Sequence, residues 1–119
     1  TTNPVDFSTG EPLAVPAGSA TAELAQALPD AHVVKAFNTN FSATLAAGAV
    51  GPEPLSVILA GDDADAKKAL EGMVAASGAQ VFDLGGVARA AQLEAIGYTQ
   101  IALASTEQIG WTRGVTLLK

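Results

Sequence analysis

Residues 55–60, Leu-Ser-Val-Ile-Leu-Ala, constrain the fold more than any other stretch of the chain. The run is short, apolar and closed by Gly61, which is the pattern of a strand buried on both faces. Asp62 or Asp63 follows as the helix cap. Acids in the first turn, then Lys67 and Lys68, suit the dipole of a helix reaching about Ala76. Gly78 falls where a left-handed residue closes such a helix. The run from Ala79 to Leu84 then reads as another strand. Strand, helix and strand in this order predict an α/β fold, with a sheet covered by helices.

The flanks extend the same alternation. Residues 1–18 are rich in Pro, Gly and Thr and read as a loop. A helix over 19–28 has Ser19 as N-cap and is stopped by Pro29. His32 to Phe37 reads as a buried strand. Residues 42–49 form a short helix with Asn40 or Ser42 as cap, and Gly51-Pro52-Glu53-Pro54 is a turn. Gly85 and Gly86 lead into a long helix over about 87–105. For the tail, residues 109–118, the pattern leaves a strand and a loosely packed arm both open. The expected sheet has three or four strands.

Composition removes several functions. Acidic residues outnumber basic ones twelve to six, and the net charge is −6. No basic stripe exists to neutralise phosphates, so nucleic acid is excluded as a main partner. There is no cysteine, hence no disulfide and no thiolate chemistry. This fits a reducing compartment, and a cytoplasmic location is expected. The most apolar long stretch, residues 87–105, carries Arg89, Gln92, Glu94 and Gln100, so it reads as a buried helix and not a membrane span.

In open α/β sheets ligands bind beyond the carboxyl ends of strands, which leaves three places to weigh. The first is Ala36-Phe37-Asn38-Thr39-Asn40, polar but uncharged. Amides and a hydroxyl that both donate and accept suit a carboxamide, ribose or heterocycle. They also serve as ordinary helix-capping residues. The second is Gly61-Asp62-Asp63, a candidate metal site or simply a helix cap. The third is Leu84-Gly85-Gly86-Val87, a helix start open enough for an anion or a ring, and equally an ordinary turn. His32 reads as a surface or capping residue. Lys35, inside a strand, reads as a side chain carrying its charge out to water. Trp111 and Tyr98 read as packing residues. No catalytic triad, acid–base carboxylate pair or metal ligand set is visible.

Taken together, "TNP" near the start, "PAGSATAELAQALPDAHVVKAFNT", "VILAGDDADAKKAL" and "FDLGG…ARAAQLEAIG" resemble the later part of the NADPH-dependent coenzyme F-420 reductases. The resemblance covers nearly all of residues 1–106. It implies a Rossmann-like NAD(P)-binding fold, of which residues 1–119 would be the C-terminal portion. In that family a strand, a glycine-rich turn and a helix hold the NADP phosphates. No G-x-G-x-x-G occurs in this sequence, so that half of the fold is expected to lie elsewhere. The family's Gly-Pro-Leu turn is Gly85-Gly86-Val87 here, and Ala91 stands where a second arginine is common.

By this resemblance, Ala36, Phe37, Asn38 and Thr39 lie beside the nicotinamide, with Asn3 and Pro4 nearby. Gly85, Gly86, Val87 and Arg89 lie on the side of the deazaflavin. The implied cofactors are NADP(H) with coenzyme F-420 or a flavin. Hydride would pass between stacked rings with no catalytic side chain. The alternatives are a non-catalytic binding or dimerisation module, and a part of another short dinucleotide-dependent dehydrogenase. Self-association through an uncovered strand edge is expected in either case.

Overall fold

The computed structural model describes residues 1–119. Its centre is the strand that the sequence marks most strongly. We label the strands β1 (Val34–Lys35), β2 (Ala49–Val50), β3 (Glu53–Pro54), β4 (Ser56–Gly61) and β5 (Gln80–Asp83). The helices are α1 (Ala20–Ala27), α2 (Ser42–Ala47), α3 (Ala64–Ala75) and α4 (Ala90–Ser105). A three-stranded sheet has the order β1-β4-β5, and β2 and β3 pair as a separate small hairpin.

Every residue of β4 is buried. Alternation sends Val57 and Leu59 to one face, where they meet Val74 of α3. Ile58 and Ala60 go to the other face and meet Leu93 of α4. A strand covered on both faces needs no polar residue, which explains the continuous apolar run. β5 lies parallel to β4, with Val57 opposite Val81. Helix α3 is the crossover between them. Asp63 caps it by accepting the Ala66 N–H, and Gly78 after it has φ +86. In α1, Ser19 accepts the Ala22 N–H as the sequence predicts.

Three expectations about these elements need correction, and one open choice is decided. The strand expected over 32–37 is regular only at Val34–Lys35, and it runs antiparallel to β4. Helix α2 starts after Phe41 with no side-chain cap; Asn40 donates instead to the Ser56 carbonyl. The last helix begins with a 3-10 turn at Val87–Arg89. Of the two readings open for the tail, the structure takes the arm, which lies outside any helix or sheet and is largely exposed but is tied at three points. Val115 N–H donates to Gln100, Leu117 N–H to Ser56 Oγ, and Thr116 Oγ1 to the Pro54 carbonyl.

Lys35 does not reach water. Its side chain is 1% exposed, and Nζ meets Glu94 Oε1 at 2.9 Å, where the Glu94 side chain is 3% exposed. Nζ also donates to the Thr2 carbonyl and, at 3.2 Å, to Thr2 Oγ1. Glu94 Oε2 accepts the Ala20 N–H at the start of α1. Burial pulls the Lys35 ammonium below its ordinary pKa, and Glu94 opposes that shift. One ion pair thus joins the N-terminal loop, β1, α1 and α4.

Removing one partner of a buried pair strands the other charge, at a typical cost of about 3–5 kcal/mol. Lys35→Met is therefore expected to lower unfolding free energy by about that much, read from urea denaturation, while Lys35→Met with Glu94→Gln recovers most of it. A single variant as stable as the parent would show the pair to be dispensable.

Acid titration supplies a second test. The Ala66 N–H, with His32 beside it, holds the Asp63 carboxyl below the usual range. Lys67, with the Gly85 N–H, does the same for Asp83. A lowered folded pKa means stability that is complete above the unfolded value and lost as pH falls through the folded one. The urea midpoint should then hold from neutral pH to about 5 and drop below about 4. Asp63→Asn, which can still cap, should shallow that drop.

Candidate functional site

Because β1 runs against β4, its carboxyl end points away from the carboxyl ends of β4 and β5. Val34 lies opposite Gly61 and Lys35 opposite Ala60. The chain after Lys35 therefore descends along β4, and Asn40 reaches the Ser56 carbonyl. At about 3.3 Å per residue, Ser56 is about 17 Å from Gly61. Gly85 stays at the Gly61 end, since its carbonyl accepts the Gly61 N–H. The structure thus gathers Ala36 to Thr39 with Asn3 in one place. It puts Gly85, Gly86, Val87 and Arg89 in another, and the two groups share no pocket.

The turn at Gly85 and Gly86 is already filled. Asp62 Oδ1 accepts the Val87 N–H at 2.8 Å. A Cβ on Gly86 would lie 2.6 Å from that oxygen, so any larger residue would push the Asp62 carboxylate aside. Asp83 accepts the Gly85 N–H, and Lys67 binds Asp83 while donating to the Gly85 carbonyl. Two backbone donors of this turn, the Gly85 and Val87 N–H groups, are thus taken by the chain's own carboxylates. Arg89 is exposed beside this turn. A cavity of about 360 Å³ opens at the same end, lined in part by His32, Asp62, Asp63 and Val87. His32, 72% exposed, pairs with Asp63 through Nδ1 at 2.9 Å. No three metal-ligating side chains come together here or elsewhere.

The strand end at 36–39 is built differently. Ala36, Asn38 and Thr39 are buried, at 3%, 5% and 4% exposure. Phe37 between them has φ +62, a left-handed backbone that a side chain with Cβ adopts at a cost. Asn38 Nδ2 donates to Asn3 Oδ1 and to the Leu93 carbonyl, and Asn3 Nδ2 donates back to the Asn38 carbonyl. Asn38 Oδ1, however, is buried with no hydrogen-bond partner. Asn3 packs so closely on α4 that a Cβ at Gly97 would come within 2.4 Å of its side chain. Pro4 follows at half-burial, its carbonyl accepting the Leu13 N–H. The Phe37 ring forms part of an apolar cavity of about 480 Å³ between α2 and α3, with Leu45, Leu70 and Met73.

Sequence reasoning missed the residues that brace this end. Gln100, 3% exposed, donates from Nε2 to the Thr39 carbonyl at 3.0 Å and accepts the Val115 N–H on Oε1 at 2.8 Å. Gly114 makes room for it, since a Cβ there would lie 2.5 Å from Oε1. Trp111 packs on Phe41, with ring centroids 5.0 Å apart. The available signal was the polar side chains Glu94 and Gln100 set in a helix otherwise rich in apolar residues. Tyr98, whose hydroxyl is raised in pKa by burial and then by Glu94, belongs to the same helix.

No protein-family model matches the chain, and no curated protein matches it. Among solved structures, a putative F-420-dependent NADP-reductase from Arthrobacter sp. FB24 matches with a TM-score of 0.79 at 27% sequence identity. The match covers 98% of this chain and 55% of that one, so the chain spans about half the length of the protein it resembles. The chain's mixed α/β architecture is thus shared with that protein, and the resemblance read from the sequence is met by a likeness in three dimensions. No helix is long and apolar enough to cross a membrane.

Proposed function

We propose that this chain supplies the nicotinamide-facing part of an NADP-dependent oxidoreductase that passes hydride between NADP(H) and coenzyme F-420 or a flavin-like acceptor. The observation that carries the reading is the unpaired Asn38 Oδ1, buried next to a left-handed Phe37. An unsatisfied buried acceptor costs about 1–3 kcal/mol. A left-handed backbone at a residue other than glycine costs a similar amount, and such costs gather where a ligand is bound. The carboxamide NH2 of a nicotinamide is the kind of donor that Asn38 lacks. The likeness to an NADP-reductase supports the same reading.

The bound cofactors would supply the hydride chemistry, so these residues have only to place the rings and keep water out. That accords with a strand end offering amides and a hydroxyl. The phosphates are a separate matter. The one glycine-rich helix start is filled by Asp62, so a dinucleotide's phosphates are assigned to a glycine-rich unit outside these residues.

Nicotinamide mononucleotide, which carries the ring without the second nucleotide, tests the site on the chain as it stands. Its addition at millimolar concentration should shift the amide NMR signals of Asn3 and Ala36 to Thr39. Shifts confined to Asp62–Asp63 or Gly85–Arg89, or none, would overturn the reading. NADPH should bind these 119 residues weakly, and calorimetry giving a micromolar dissociation constant would contradict the assignment of the phosphates.

In an enzyme carrying this chain behind a phosphate-binding unit, Ala36→Val should cut turnover about 100-fold by displacing the ring, with little loss of NADPH affinity. Asp63→Ala, at the far end of β4, should leave turnover of the folded enzyme nearly unchanged.

Association belongs to the same proposal. The chain exposes 6674 Å², where a compact monomer of its mass exposes about 5,900 Å². β1 and β5 each pair on one side only, and Phe7 and Met73 are open to water. Such a surface recruits another chain. Light scattering at rising concentration should show self-association, and a strict monomer would count against it.

A further inference from the structure

The neutral strand end has a backing that its own sequence does not announce. Residues 38–41 are held one by one. Asn38 is held by Asn3 and the Leu93 carbonyl, Thr39 by Gln100, Asn40 by the Ser56 carbonyl, and Phe41 by Trp111. Two of these contacts involve the C-terminal arm, residues 110–119. Trp111 is part of the arm, and Gln100 holds Thr39 with one end of its amide and Val115 of the arm with the other.

The amide of Gln100 is suited to this double duty. A donor must face the Thr39 carbonyl and an acceptor must face the Val115 N–H, and only an amide or a protonated carboxylic acid of this length presents both. The site is closed around it, because Gln100 is 3% exposed and Gly114 leaves no room for a Cβ. Neither contact belongs to a helix or a sheet ladder. The strand end and the arm are therefore joined directly by this side chain and the Phe41–Trp111 ring contact, and less directly through Ser56, which holds Asn40 with its carbonyl and Leu117 with its hydroxyl.

We propose that Gln100 is a positioning residue, which fixes the Ala36–Thr39 strand end against the arm and couples displacement of one to displacement of the other. As a role in ring binding this rests on the reading under Proposed function. The coupling itself rests on the two hydrogen bonds.

The test uses Gln100→Glu in the whole chain. At neutral pH an ionised carboxylate still accepts the Val115 N–H but repels the Thr39 carbonyl. On acidification the carboxyl takes a proton, and burial raises the pH at which this happens. It then donates to Thr39 and reproduces the native pair. Trp111, the only tryptophan, reports the arm. The expected result at neutral pH is red-shifted Trp111 emission, displaced Thr39 and Val115 amide signals, and about tenfold weaker binding of nicotinamide mononucleotide. All three should return toward native values on mild acidification, while Gln108→Glu, at an exposed position, shows no such return.

Emission and amide signals equal to the parent at neutral pH, or no recovery in acid, would overturn the proposal. If Gln100→Glu fails to fold by circular dichroism, Gly114→Ala takes its place. It crowds Oε1 from the arm side and must displace the Thr39 amide signal, and an unmoved Thr39 would overturn the coupling. The two readings fail separately. Loss of nicotinamide-induced shifts in the parent chain removes the ring-binding role, whereas intact shifts without acid recovery remove only the role of Gln100.

Discussion

The arrangement depends first on the contact between Lys35 and Glu94. A lysine in a two-residue strand and a glutamate in the middle of a helix are both taken out of water, and each is tolerable only because of the other. The remaining valences are also used, with Thr2 on the ammonium and the Ala20 N–H on the carboxylate. Hydrophobic packing alone would let α4 slide or rotate over the apolar face of β4. A charge pair with fixed partners does not, so it sets the register of α4 against β1. That register in turn brings the Leu93 carbonyl to Asn38 and Gln100 to Thr39.

The direction of β1 decides where a ligand can sit. Were β1 parallel to β4, the neutral strand end and the glycine turn would flank one crevice, and a nicotinamide and a second ring could lie between them. The antiparallel pairing separates the two, and the chain's own acids occupy the glycine turn. The end bearing Phe37 and Asn38 keeps a left-handed backbone and a buried amide oxygen without a partner.

Much of the fold was legible because its central strand is buried on both faces and its helix caps are local. Ser19, Asp63 and Gly78 act within a few residues of themselves, so their roles follow from neighbours in the sequence. The run at 32–37 misled because its valines promise a longer strand. Only two of its residues pair, since the chain turns at Phe37 into a conformation that no apolar pattern encodes. Lys35 misled for a related reason. A lysine within a strand reads as amphipathic, and its burial depends on a glutamate 59 positions away. At the candidate site, the residue types at 36–39 were visible, but Gln100 and Gly114 were not, because their meaning lies in contacts that cross the whole chain.

The arm has a consequence for the order in which the molecule assembles. β4, α3 and β5 are consecutive, and their contacts close short loops, so this unit can collapse early. The strand end at 36–39 cannot follow at once. Its partners lie 55 and 61 positions along, at Leu93 and Gln100, and the arm joins last, through Val115. Contacts between residues so distant carry the entropy of large loops before they gain anything. On a ribosome, residues 36–39 would emerge long before the segments that shape them, and would wait unshaped until residues 110–119 were free to fold back.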